Sequence, residues 1–66
     1  MSLQEEYNAI EFLKGMLKAD EIFCKNNGTN TFQRDCLRKS IEIIADTRKS
    51  EIEQTYNNLL MQNNKN

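Results

Sequence analysis

Asn26-Asn27-Gly28-Thr29-Asn30 is the stretch that interrupts the periodicity of this chain, and the fold follows from it. Asn and Gly adopt the left-handed backbone conformation at little steric cost, so Asn27 or Gly28 is suited to closing a helix that arrives from the N-terminal side. Thr29, Asn30 or Thr31 can open the next helix by accepting a backbone N–H on a side-chain oxygen, and Asn30 followed by Gln33 has the spacing of a capping box. A loop of about five residues joins helices that lie side by side and antiparallel.

Outward from the break, both flanks read as amphipathic helices. On the N-terminal side the pattern predicts a helix over residues 3–25. At ~100° per residue, Ala9, Ile10, Phe12, Leu13, Met16, Leu17, Ala19, Phe23 and Cys24 share one half of its surface, wider than the ~100° stripe of an ordinary surface helix. That half resolves into two neighbouring seams. Ile10, Leu13, Leu17 and Cys24 form one, and Ala9, Phe12, Met16, Ala19 and Phe23 the other. One seam can pack on the second helix; the other needs a further partner. Gly15 falls on the polar side, where it costs roughly 1 kcal/mol of helix propensity and leaves room for a bend or a close contact.

The C-terminal side predicts a second helix over residues 31–61. Its main stripe is Leu37, Ile41, Ile44, Ala45, Ile52, Tyr56 and Leu59, with a short second stripe of Phe32, Cys36 and Ile43. Residues 1–61 thus read as one all-α, antiparallel helical hairpin, and residues 62–66 as a disordered polar tail. With the loop centred near residue 28, residues whose numbers sum to about 57 face each other. Leu3 then lies opposite Gln54, and Tyr56, Leu59, Leu60 and Met61 have no partner inside the hairpin. Each forfeits roughly 1.5–3 kcal/mol of available burial. A second copy covers them most simply, as a four-helix bundle of two hairpins with Phe12, Met16, Ile52, Tyr56, Leu59 and Leu60 at the dimer interface. A three-helix monomer, with the first helix broken near Gly15 or Asp20, is the alternative.

The totals agree with a small helical protein. The chain has 66 residues, no Pro and two Gly, so few residues punctuate it. A domain of this size buries only ~60% of its unfolded surface and usually needs a disulfide, a metal or a partner chain. There is no His, and the two Cys, Cys24 and Cys36, form no zinc-binding spacing,. No cofactor or metal is expected. The net charge of −1 lacks the basic excess of most nucleic-acid binders. No apolar run reaches the ~20 residues of a membrane span, and the polar, acidic start does not resemble a signal peptide. The expected location is the cytoplasm, where both thiols stay reduced. Asn27-Gly28-Thr29 matches a glycosylation sequon but is read as a turn.

A few polar residues stand out. Asp20 lies on the apolar side of the first helix, and the register puts it near Arg34 and Arg38. It is read as a solvated Asp or as a partner for Arg34 or Arg38, one half of a possible buried polar pairing, with a general acid or base of raised pKa as the alternative. Arg48 interrupts the stripe of the second helix between Ile44 and Ile52. It is the other such residue, a register-setting Arg paired with Glu5, Glu11 or a carboxylate of a second chain. Lys25, Arg34, Arg38 and Lys39 form a modest basic cluster at the hairpin tip, a candidate anion or nucleic-acid patch diluted by Asp35 and Glu42. Cys24 and Cys36 lie near the turn on facing helices and could approach one another. No phosphate loop, nucleophile elbow or carboxylate–His cluster occurs, so an enzyme is not expected.

In length and in helix–short loop–helix layout the chain is similar to the Rop family of plasmid copy-number regulators. The resemblance implies a homodimeric four-helix bundle that binds RNA, here through the tip cluster. The sporulation phosphatases of the Spo-zero-E type share the outline, but their Ser-Gln-Glu-Leu-Asp motif has no counterpart here. Layout alone carries no function. The function expected from the residues is that of a small non-enzymatic regulatory or adaptor protein that binds another protein through a helix face. Rop-like RNA binding and a purely structural self-assembly module stand as alternatives.

Overall fold

The structure is a computed structural model that describes residues 1–63. It contains α1 (Leu3–Asn26) and α2 (Phe32–Asn63), which pack against each other as an antiparallel hairpin. The boundaries follow from local chemistry. Ser2 caps α1: its hydroxyl accepts from the Glu5 N–H at 3.1 Å, and the Glu5 carboxylate accepts from the Ser2 N–H at 3.4 Å, a complete capping box,. At the other end Gly28 takes φ +67°. This lets the Thr29 N–H reach back to the Cys24 carbonyl at 2.9 Å and the Gly28 N–H to the Lys25 carbonyl at 3.4 Å, the paired bonds of a Schellman motif. Thr31 opens α2, its hydroxyl accepting from the Arg34 N–H at 3.1 Å. The side chain of Asn30 is turned instead onto the carboxylate of Asp35.

α1 is continuous across Gly15 and Asp20, so the three-helix alternative does not hold. Nothing lies within 4 Å of a Cβ built on Gly15. Its missing side chain therefore admits no close neighbour. α2 runs two residues further than expected, taking Gln62 and Asn63 into the helix. The remainder of the expected polar tail lies outside the described residues.

The seam of Ile10, Leu13, Leu17 and Cys24 faces α2. Ile10, Ala45 and Ile52 form the core, with Leu3, Tyr7 and Leu13 packed against it, and Cys24 is buried nearer the tip. Ile52 is completely buried (0% exposed). Its expected place at a dimer interface is therefore corrected: it sits at the level of Leu3 and Tyr7, where α1 still covers it. Just beyond, α1 ends and α2 continues alone. The molecule is a rod of 58 × 17 × 16 Å.

Five ion pairs or hydrogen-bonded pairs fix the register between the helices: Asp20–Arg34, Asp20–Arg38, Glu6–Arg48, Lys14–Asp46 and Glu11–Lys49. Their residue numbers sum to between 54 and 60, centred on the expected 57.

Candidate interaction surface

The two broad sides of the hairpin differ in chemistry. One is ionic. Lys14 meets Asp46 at 2.7 Å, Lys49 meets Glu11 while its ammonium lies 5.5 Å from the centre of the Tyr7 ring, and Lys25 meets Glu21 at 2.9 Å. The partner carboxylates raise the pKa values of Lys14 and Lys49, and the hydrogen bond from Lys25 lowers that of Glu21. These pairs stand in solvent, where each contributes little to stability. They do make this side well hydrated.

The opposite side is apolar. Ile10, Leu13, Ile41, Ile44 and Ala45 line a groove of about 260 Å³ along the helix junction, closed at one end by the Glu6–Arg48 pair. Stepping round α1 from Leu13, away from the buried Ile10, the next apolar positions are Ala9, Met16, Phe23 and Phe12. All four are exposed, Phe12 to 71%. Round α2 from Ala45, past Ile41, come Leu37 and Ile44, the latter 70% exposed. The second seam of α1 and half the stripe of α2 therefore form one continuous face with no cover inside the hairpin. Past the end of α1, Tyr56, Leu59 and Leu60 extend the inner stripe of α2 and are exposed as well. Of the six residues expected at an interface, five are free to make one; Ile52 is not.

The polar residues bound this face. At the tip, Arg34 grips Asp20 with two bonds, Nη2 to Oδ1 at 2.7 Å and Nε to Oδ2 at 3.0 Å. Arg38 donates Nη1 to the same carboxylate at 2.8 Å and Nη2 to Asn30 and Asp35. The Arg34 guanidinium, then that of Arg38, hold the Asp20 carboxyl well below the usual carboxylate range. Asn30, then Arg38, lower that of Asp35. In this network the most buried member is Arg38, 7% exposed, while Asp20 is partly open to solvent. Asp20, expected to be solvated or paired with Arg34 or Arg38, is paired with both and half-buried, and its lowered pKa runs opposite to that of a general acid. Burial of Arg38 was readable from its spacing, three and seven residues before Ile41 and Ala45.

The four cations of the expected anion patch each have a carboxylate nearby. Arg34 and Arg38 are engaged with Asp20, Lys25 with Glu21, and Lys39 lies 3.9 Å from Glu42. None of the four stands as an unpaired cation.

Arg48 donates Nε and Nη2 to the two oxygens of Glu6 at 2.7 and 2.9 Å, a forked pair,. The expected partners are Glu5, Glu11 or a carboxylate of a second chain. Glu6 wins because it lies on the same face of α1 as Ile10 and Leu13, four and seven residues on, whereas Glu5 is turned away. Arg48 is half-exposed rather than buried, and the pair lowers the pKa of Glu6 and raises that of Arg48. Cys24 is buried and Cys36 exposed, both as free thiols. They do not meet across the tip.

Among the described residues no three His, Cys, Asp or Glu side chains converge to hold a metal ion, and no helix is long and apolar enough to cross a membrane. No protein-family model, curated protein or solved structure matches this chain.

Proposed function

We propose that this chain is a small, non-enzymatic interaction module that acts by laying its apolar helix face against other helices, as a regulatory or adaptor protein in the cytoplasm. One observation carries the reading: the hairpin buries only Ile10, Cys24, Ala45 and Ile52 among its apolar side chains, while Phe12, Met16, Phe23, Leu37 and Ile44 lie exposed on one side. A core of that size is small against the entropy of ordering some sixty residues, which amounts to ~1–2 kcal/mol per residue for the backbone alone. An apolar face of this extent marks an association surface. Helix-in-groove recognition uses this pattern, apolar anchors recurring every three or four residues beside a charged rim. A second hairpin supplies two complementary helices and completes a four-helix bundle, with Arg48 and Asp20 at the edges of the seam.

Sedimentation equilibrium of the wild-type chain and of Ile44→Asp tests the reading. The expected result is a wild type that assembles at micromolar concentration and a variant that is monomeric and less helical. A wild type that stays monomeric and well folded, and whose apolar face fails to bind a hydrophobic dye, would overturn it.

A further inference from the structure

We propose that the occupant of the apolar face is a second copy of this chain, docked with its tip at the opposite end, so that the α2 overhang of each copy covers the tip of the other. This rests on the reading of the face as an association surface and adds to it the partner and its orientation.

Three observations favour this arrangement. The first is area. The whole molecule is 58 Å long and 17 Å wide, so one entire side of it is roughly 1,000 Å², enough to hold the ~800 Å² per partner of a standard stable interface. The molecule is rod-shaped, so only a partner of matching length uses all of it. A second copy has that length.

The second is the overhang. α1 has 24 residues and α2 has 32. At ~1.5 Å per residue, α2 projects roughly 13 Å past Leu3, and carries Tyr56 and Leu59 there. With both tips at one end, each overhang meets only the other overhang, and the bundle thins to two helices. With the tips at opposite ends and the rods flush, each overhang lies beside both helices of the other copy. Leu59 then comes level with Phe23 near the other copy's tip, and Ile44 with Ala9. Phe23 is 64% exposed in the hairpin alone, so this arrangement gives cover to the exposed apolar residue of α1 nearest the tip.

The third is charge. Residues 15–44, the tip half, carry five Lys or Arg and four Asp or Glu, a net +1. Residues 3–14 and 45–63, the open half, carry three and six, a net −3, or −2 with Lys65, which follows them in the chain. Docking tip to open end sets the acidic half of each copy against the basic half of the other. Docking tip to tip sets the two acidic halves against each other. Complementary potentials of this kind fix orientation more than they add affinity.

The test is a spin-label distance measurement on the full chain, with Cys24→Ala and Cys36→Ser as background. A nitroxide is placed at Asn57→Cys in one sample and at Thr29→Cys in another, and the mass of each sample is measured alongside. Tips at opposite ends give roughly 40 Å between the two labels at residue 57 and roughly 50 Å at residue 29, from the helical rise. Tips together give roughly 20–25 Å at both positions, since only bundle widths of neighbouring helices then separate the labels. The long pair of distances supports the proposal. The short pair overturns the orientation and leaves the association surface standing. A monomeric mass with no dipolar coupling in either sample overturns both.

Discussion

Asp20 is held by two guanidinium groups on the facing helix, and the consequence is a pH dependence whose sign can be worked out. Its pKa in the folded hairpin lies below its unfolded value, which is about 3.9. Between those two values the unfolded chain binds more protons than the folded one. The stability this group contributes is therefore fully present above about pH 5 and is lost as the pH falls through the carboxylate range. Glu6, Glu21 and Asp35 are lowered as well and add to the same acid limb. Asp20→Asn leaves Arg34 without its charged partner and Arg38, the most buried cation, with Asp35 alone. The expected outcome is a melting temperature lower by about 5 °C or more at pH 7, with the difference from wild type shrinking as the pH is taken towards 2. Thermal denaturation followed by circular dichroism at pH 7, 5, 4 and 3 checks it. Equal melting temperatures at pH 7 would show that the network is ornamental. A second residue-scale prediction concerns the core. Ile52 is wholly buried, so Ile52→Ala leaves a cavity and lowers stability by ~2–5 kcal/mol, read as a lower urea midpoint.

At the scale of the elements, the two glycines do opposite things. Gly28 supplies the positive φ that closes α1, and a side chain there is strained although the space around it is empty. Gly28→Ala is expected to destabilise by ~1 kcal/mol. Gly15 lies inside α1 with no neighbour within 4 Å, so Gly15→Ala is expected to stabilise by ~0.5–1 kcal/mol through helix propensity alone. Urea titrations of the two variants should move in opposite directions. This pair also shows what was legible in advance. The break at residues 26–30, both helices and their register were readable, because spacing and turn chemistry are local and leave their mark in the chain itself. The fork between Arg34 and Asp20 followed from the register. The place of Ile52 did not: residues on one stripe look alike in sequence, and only the end of α1 decides which of them it covers. Thr31 rather than Asn30 caps α2 because Asn30 is drawn to Asp35 and Arg38, a competition among neighbours that no spacing rule weighs. The capping box of Ser2 and Glu5 has the Ser-x-x-Glu spacing that marks a helix start in sequence,.

On the scale of the whole molecule, the hairpin is a rod with one ionic side and one apolar side. The ionic side faces water with its Lys–carboxylate pairs satisfied. The apolar side carries Phe12, Met16, Phe23 and Ile44 and extends into the overhang of α2, which reaches past the end of α1. The separation of charge along the rod adds a direction to a surface that apolar contact alone leaves symmetric. If two copies complete a bundle as proposed, what it presents outward is the ionic side and the short stripe of Phe32, Cys36 and Ile43 on the back of α2, all three exposed in the hairpin. In this arrangement folding and association are one process, because a hairpin with so small a core has little stability of its own.

The most direct test of that coupling is the melting temperature of the wild-type chain at 5 and at 500 μM. If the folded state is an assembly of two copies that unfolds to separate chains, the hundredfold increase should raise the melting temperature by roughly 10 °C, given an enthalpy of ~0.7 kcal/mol per residue. A melting temperature identical at the two concentrations, with a sharp cooperative transition, would mean that the hairpin stands alone, and would contradict the claim that its apolar face is completed by a second copy.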